Sequence, residues 1–190
     1  MNNIKKLTFI AIAVAINIVG SKIALLLNLP IFLDSIGTML AGIALGPFAG
    51  AVAALVGGLI NGVLGDIYAI YFSLSGVLMG LLAGLLLHNK KHDIVPIIWK
   101  CILIVLPASA LSACIETFLF GGITSAAVTT FIVQALAQTG LKLLGSSFLT
   151  QFVTDYIDKL IAIVLVEVCL KRLPYEMTNF AKKDISPNEI

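Results

Sequence analysis

The chain has 190 residues, of which 59% are hydrophobic and 12% are charged, and its formal net charge at pH 7 is +2. A soluble domain carries about 45–50% apolar and about 25% charged residues, so the composition excludes an ordinary soluble protein. The net charge is also too small and too scattered for a nucleic-acid-binding surface.

Six apolar runs follow one another along the chain, and about 20 apolar residues suffice for a helix to cross a bilayer. Helix-breaking segments separate the first four, such as Gly46-Pro47 and Gly65-Asp66. The runs cover residues 7–27, 31–45, 48–64, 67–87, 94–119 and 148–170. The second run is short, and Pro107 interrupts the fifth. We therefore predict an all-α integral membrane protein with six transmembrane helices.

The segment 124–147 is less apolar than its neighbours and contains Gln134, Gln138 and Lys142. This composition favours a helical or re-entrant connection that packs on the protein. A seventh span is the alternative, and it would place one basic cluster on the wrong side of the membrane.

The distribution of lysine and arginine predicts the orientation, because cytoplasmic loops are enriched in both. With the N-terminus inside, only Lys22 and Lys142 fall toward the outside, and Lys100 lies near the inner face. The inner segments carry Lys5, Lys6, Lys90, Lys91, Lys171, Arg172, Lys182 and Lys183. We expect both termini in the cytoplasm, with a membrane domain over 1–173 and a short polar cytoplasmic tail over 174–190.

Small residues recur four positions apart on three of the runs, and such residues share one helix face. Close backbone approach substitutes for a hydrophobic driving force between helices in lipid. Internal packing is the simplest interpretation for the third and fourth runs, which carry Gly50, Gly58 and Gly80 among others. The first run carries Ala11 and Ala15, and this bare alanine patch is a candidate docking surface for another membrane subunit.

Polar side chains within the runs lie mostly toward the predicted outer side, and an ionisable group at such a depth is a functional hypothesis by default. They indicate a cup that is open to the outside, closed by apolar residues below, and suited to a small ligand. The predicted ligand-binding residues are Asn17, Asp34, Asn61, Tyr71, Glu116, Gln138, Asp155 and Lys159.

Structural roles are the alternatives for several of these residues. Asp34 is placed to cap the second helix, and Tyr71 suits a membrane interface. Asp155 and Lys159 are four residues apart and fit a structural ion pair. Asp66 fits a solvated turn. Glu116 has no obvious local partner, so a structural role explains it least well.

The sequence offers no catalytic constellation. It contains no P-loop, no histidine at membrane depth and no His/Glu metal set, and its three cysteines have no metal-like spacing. We therefore expect a protein that is not an enzyme, has no cofactor or metal, and does not hydrolyse ATP itself.

Several segments resemble one family, the substrate-binding membrane subunit, or S component, of energy-coupling factor (ECF) transporters. The similarity extends over nearly the whole chain. The segments are Asn17-Ile-Val-Gly20, Leu29-Pro-Ile-Phe-Leu-Asp-Ser-Ile-Gly-Thr38, Leu45-Gly-Pro-Phe-Ala-Gly50, Gly58-Leu-Ile-Asn-Gly62 and Asp158-Lys159. Signatures of the kind expected for riboflavin or biotin binders are missing, so the resemblance names no substrate.

The resemblance implies a multi-pass protein of a prokaryotic cytoplasmic membrane that captures a vitamin or related micronutrient from outside. It implies as partners a transmembrane coupling protein and two ATPase subunits, which use the ATP. It also implies that the subunit topples in the membrane and docks through small residues such as Ala11 and Ala15. A self-sufficient small secondary transporter is the alternative, although the internal repeat typical of such proteins is not evident. A structural subunit without a ligand is a third alternative, and it leaves the one-sided polar groups unexplained.

Overall fold

The computed structural model describes residues 3–88 and 94–172, and within these ranges the chain folds into seven α-helices without a β-strand. The predicted tail at 174–190 and the basic pair Lys90-Lys91 lie outside the described residues. The helices are α1 (Asn3–Leu26), α2 (Ile36–Leu45), α3 (Pro47–Val63), α4 (Ile67–Leu87), α5 (Ile94–Phe120), α6 (Ala127–Gln138) and α7 (Leu143–Arg172).

Three helices in the described ranges are long and apolar enough to cross a membrane by length and composition. They are Asn3–Leu26, Ile67–Leu87 and Pro96–Phe120. Helix α7 has 30 residues but is less apolar than these three, because it carries charged side chains such as Asp155, Asp158 and Lys159. Helix α2 has only 10 residues, which corresponds to about 15 Å, half the thickness of the hydrocarbon core.

Several helix boundaries differ from the sequence-based expectation. The second helix begins at Ile36 rather than at residue 31, and α7 begins at Leu143 rather than at residue 148. Pro107 does not interrupt the fifth helix, which continues past it to Phe120. The segment 124–147 contains α6, whose 12 residues are fewer than a full span requires.

The suggestion that Asp34 caps α2 is wrong, because the N-cap residue is Ser35 and its own side chain makes no capping bond. The cap comes from another helix. The side-chain oxygen of Asn17 on α1 accepts hydrogen bonds from the backbone N–H groups of Gly37 at 2.7 Å and Thr38 at 3.2 Å. These N–H groups belong to the first turn, where a helix has no internal acceptors for them.

The glycines of α3 and α4 bring the two helix backbones into direct contact. A Cβ added to Gly80 would lie 2.5 Å from the carbonyl carbon of Gly50, and one added to Gly84 would lie 2.3 Å from Cα of Pro47. The predicted ridges of small residues therefore serve internal packing between these helices.

The larger apolar core borders the cavity described below. Buried side chains from α2, α4, α5 and α7 form it, including Met39, Leu87, Ile104 and Ile163. Met79 belongs both to this core and to the cavity lining, so the core and the cavity are adjacent.

Candidate ligand-binding site

A cavity of about 90 Å³ lies between the helices next to the apolar core. This volume is several times the roughly 10–15 Å³ that a single water molecule needs. Its lining comes from α1 to α5, α7 and the loops before α2, α4 and α6. The polar lining residues are Ser21, Asp34, Ser35, Thr38, Asn61, Asp66, Ser73, Ser75, Ser112, Thr124, Ser125, Gln151, Asp155 and Lys159. The arrangement fits a small-molecule pocket with apolar walls and a few placed polar groups.

Lys159 is the centre of an ion cluster at the edge of this cavity, in which Lys159, Asp155 and Asp158 are buried and Asp34 is exposed. Its Nζ lies 2.6 Å from Oδ2 of Asp158, 3.3 Å from Oδ1 of Asp155 and 3.8 Å from Oδ1 of Asp34. Ser109 on α5 donates a further hydrogen bond to Asp155 at 2.8 Å. The ion pair suggested for Asp155 and Lys159 therefore exists, but it is one part of a cluster of three carboxylates around one ammonium.

Asp158 also fixes the loop between α1 and α2 against α7. Its Oδ1 accepts from the backbone N–H of Leu33 at 3.2 Å, and its Oδ2 accepts from the hydroxyl of Ser35 at 3.4 Å. Leu33 has a positive φ of 51°, a conformation that costs a non-glycine residue about 1–2 kcal/mol. The bonds to Asp158 hold the loop in this conformation and keep Asp34 beside Lys159.

Two polar groups on the α3 side of the cavity have unsatisfied hydrogen-bonding atoms. Asn61 is only 4% exposed, and within the described part of the chain neither its Oδ1 nor Oδ1 of Asp66 has a hydrogen-bond partner. A buried polar atom without a partner costs about 1–3 kcal/mol. Both residues line the cavity, so a ligand that donates hydrogen bonds there would remove this penalty.

Glu116 lies behind the cavity wall rather than in it. The carboxylate is fully buried, and its Oε2 accepts a hydrogen bond from Nε2 of Gln151 at 3.1 Å. Gln151 itself lines the cavity. Glu116 is therefore connected to the cavity through Gln151, whose amide it orients.

Three of the other predicted residues lie away from the lining. Asn17 is buried and caps α2, while its amide nitrogen donates to the hydroxyl of Thr38 at 2.9 Å. Tyr71 is 46% exposed and packs edge-on against Phe120, with 5.3 Å between ring centroids. Gln138 is exposed at the end of α6. The structure thus brings Asp34, Asn61, Asp155 and Lys159 together at the cavity.

Sequence reasoning missed several lining residues, and Gln151 is the one that a signal in the sequence would have revealed. Gln151, Asp155 and Lys159 are spaced by four residues and so form one stripe along α7. Phe32 and Phe72 were also missed, because phenylalanine is common in any membrane helix or its flanks.

The two candidate docking residues lie on the surface of the bundle. Ala11 and Ala15 on α1 are exposed, whereas Ala13 between them is buried against α2 and α3. The two alanines present small side chains at this surface of α1, beside the exposed side chain of Ile12.

The family model for the substrate-specific component of ECF transporters matches residues 5–170. No curated protein matches the chain significantly. Because the family model covers most of the 190 residues, the chain belongs to the family of substrate-specific components of ECF transporters.

Proposed function

We propose that this protein is a high-affinity substrate-binding subunit that captures a vitamin or related micronutrient outside the cell. The observation that carries the proposal is the cavity, which holds an ion cluster and two polar groups that each have an oxygen atom without a partner among the described residues. A cavity that served only packing would be lined by apolar side chains, because unsatisfied polar groups are costly. A bound ligand supplies the missing hydrogen bonds.

The orientation in the membrane follows from the charge distribution. We propose six spans, with both termini in the cytoplasm of a prokaryotic cell and the cavity near the outer face. The spans are α1, the segment from residue 31 to the end of α2, then α3, α4, α5 and α7, while α6 packs on the bundle. The basic residues at both ends of the chain then lie on the inner side, as the positive-inside rule requires.

Release of the substrate on the inner side requires an external source of energy, which partner subunits would supply. We propose a transmembrane coupling protein and two ATPases that bind the toppled form of this subunit more tightly than the upright form. A partner shifts such an equilibrium only by its difference in affinity for the two forms. This subunit then contributes recognition of the substrate, and its partners contribute ATP hydrolysis.

The capture function is tested by purifying the protein in detergent and identifying the organic molecules that it releases on denaturation. We expect one small molecule to be released in near-stoichiometric amount, since high affinity retains it through purification. Mass spectrometry provides the measurement, and an unrelated membrane protein purified in the same way is the control. A protein that releases no specific molecule, from cells grown in rich medium, would contradict the proposal.

Added bulk on the exposed alanine patch of α1 should impair docking. We expect Ala11→Leu and Ala15→Leu to lower the affinity for the coupling module at least tenfold, about 1.4 kcal/mol, because the added side chains separate closely packed helices. Co-purification of the coupling protein and ATPases with the tagged subunit measures this. The matched control is Ala110→Leu, which adds the same bulk at an exposed position of α5. Equal co-purification by all three variants would show that docking occurs elsewhere.

A further inference from the structure

The charged groups that line the cavity are mostly acidic. Three carboxylates, those of Asp34, Asp66 and Asp155, face it together with a single ammonium, that of Lys159. Asp158 and Glu116 add two further carboxylates directly behind the wall. Lys22 of α1 does not line the cavity, and its Nζ lies 3.5 Å from the carbonyl oxygen of Leu64. Among the described residues the lining therefore carries an excess of negative charge.

The ammonium of Lys159 is already paired within the protein. It donates a hydrogen bond to Oδ2 of Asp158 at 2.6 Å, and carboxylate oxygens of Asp155 and Asp34 lie 3.3 Å and 3.8 Å from its Nζ. An anionic ligand that reached this ammonium would meet these carboxylates at close range. Asp155 and Asp158 are buried, so such like-charge contacts are only weakly screened.

An independent observation on the opposite wall points to a ligand that donates hydrogen bonds. Asn61 is more than nine-tenths buried and lines the cavity, and its Oδ1 has no partner in the described ranges. Oδ1 of Asp66 is in the same situation. Two phenyl rings, those of Phe32 and Phe72, complete the lining, and the face of such a ring attracts a cation.

We propose that the cavity binds an organic cation, in which a protonated or quaternary nitrogen lies among the carboxylates of Asp66, Asp34 and Asp155, and N–H or O–H donors reach Asn61. The apolar body of the ligand then packs against Phe32 and Phe72. This inference rests on the proposed capture function, and it assigns the charge of the ligand. A cleft lined by one sign of charge also raises the local concentration of ligands of the opposite sign.

Three probes of similar shape test the assignment: benzylamine, which is cationic at pH 7, benzyl alcohol, which is neutral, and phenylacetate, which is anionic. Each is titrated at millimolar concentration into the washed, detergent-solubilised full chain, and thermal unfolding is recorded. We expect benzylamine to raise the melting temperature more than the other two probes. Equal or greater stabilisation by benzyl alcohol or phenylacetate, or no difference between the three, would overturn the assignment.

Neutralising one cavity carboxylate should weaken benzylamine binding by about tenfold to a hundredfold, as expected for a lost hydrogen bond to a charged group. Asp155→Asn tests the ion cluster, and Asp66→Asn tests the opposite wall while leaving the contacts of Lys159 intact. Glu167→Gln makes the same chemical change on α7 outside the lining and should leave binding unchanged. If the two cavity variants bind benzylamine as the wild type does, the assignment fails even if one of the proteins is less stable.

The molecule released from the purified protein gives a second measurement that separates this assignment from the capture function. A released molecule that migrates as a cation in electrophoresis at pH 7 supports both. A neutral or anionic molecule overturns the assignment of charge and leaves the capture function standing. If no organic molecule is released, both are contradicted.

Discussion

Replacement of Lys159 with methionine is expected to destabilise the protein by about 3–5 kcal/mol, the usual cost of removing one partner from a buried ion pair. Methionine has a similar length, so little packing volume is lost. The charge is lost completely, however, and Asp155 and Asp158 are then left buried with no cation beside them, where Nζ had been 3.3 Å and 2.6 Å away. The repulsion between them should also loosen the loop that Asp158 holds through Leu33 and Ser35.

Unfolding of the purified variants in increasing concentrations of a denaturing detergent measures this loss. The control is Lys142→Met, which makes the same change at an exposed position just before α7 and should shift stability by less than about 0.5 kcal/mol. The double variant Lys159→Met/Asp158→Asn should recover part of the lost stability, because one uncompensated carboxylate is then neutral. Wild-type stability in the single variant, or a double variant that is less stable than the single one, would show that the cluster does not have this role.

The second large effect is expected at Gly80, where α3 and α4 touch through their backbones. The Cβ of an alanine would lie 2.5 Å from C and 2.6 Å from O of Gly50, and 2.8 Å from N of Ala51. All three atoms are backbone atoms of a helix, so the helices must move apart to make room. Overpacking of this kind typically costs about 1–3 kcal/mol, and we expect Gly80→Ala to lie at or above the upper end.

Gly76→Ala provides the matched control one turn earlier on the same helix. A Cβ at Gly76 meets only Cβ of Ala54, at 3.3 Å, and a small shift of α3 relieves that contact. An alanine also favours the helix by about 0.5–1 kcal/mol over glycine, so we expect a net change below about 1 kcal/mol. Thermal unfolding of both variants in detergent measures the difference. Equal stability of Gly80→Ala and Gly76→Ala would contradict the close packing of α3 and α4.

Most helix positions were predictable because local sequence marks their ends. The run predicted at 67–87 coincides with α4, and that predicted at 48–64 differs from α3 by one residue at each end. Glycine, proline and aspartate interrupt the apolar runs at these places, and their effect on the backbone does not depend on tertiary contacts. The start of α2 was not predictable in this way. Residues 31–35 are apolar enough for a helix, but the hydrogen bonds that Leu33 and Ser35 donate to Asp158 hold them in an irregular loop.

The candidate site was predictable where burial of a polar side chain is costly. Charged and amide groups such as Asp155, Lys159 and Asn61 are conspicuous in apolar runs, and the structure places them at one cavity. The lining serines were not predictable, because a serine packs between membrane helices as readily as it lines a pocket. Tyr71 and Phe72 show that position in the sequence does not by itself predict which residue lines the cavity. They are adjacent in sequence, and the more polar one faces away from the lining.

Because Asn17 of α1 caps α2, the formation of the second helix depends on the first. A helix of 10 residues forms few hydrogen bonds beyond its first turn, so they offset little of the free-energy cost of forming that turn. The side chain of its N-cap residue, Ser35, does not accept a hydrogen bond from the N–H groups of that turn. The acceptor that they use lies on α1. Since α1 leaves the ribosome first, the capping oxygen of Asn17 is already present when α2 is synthesised. The two segments should therefore integrate into the bilayer as a pair rather than one after the other.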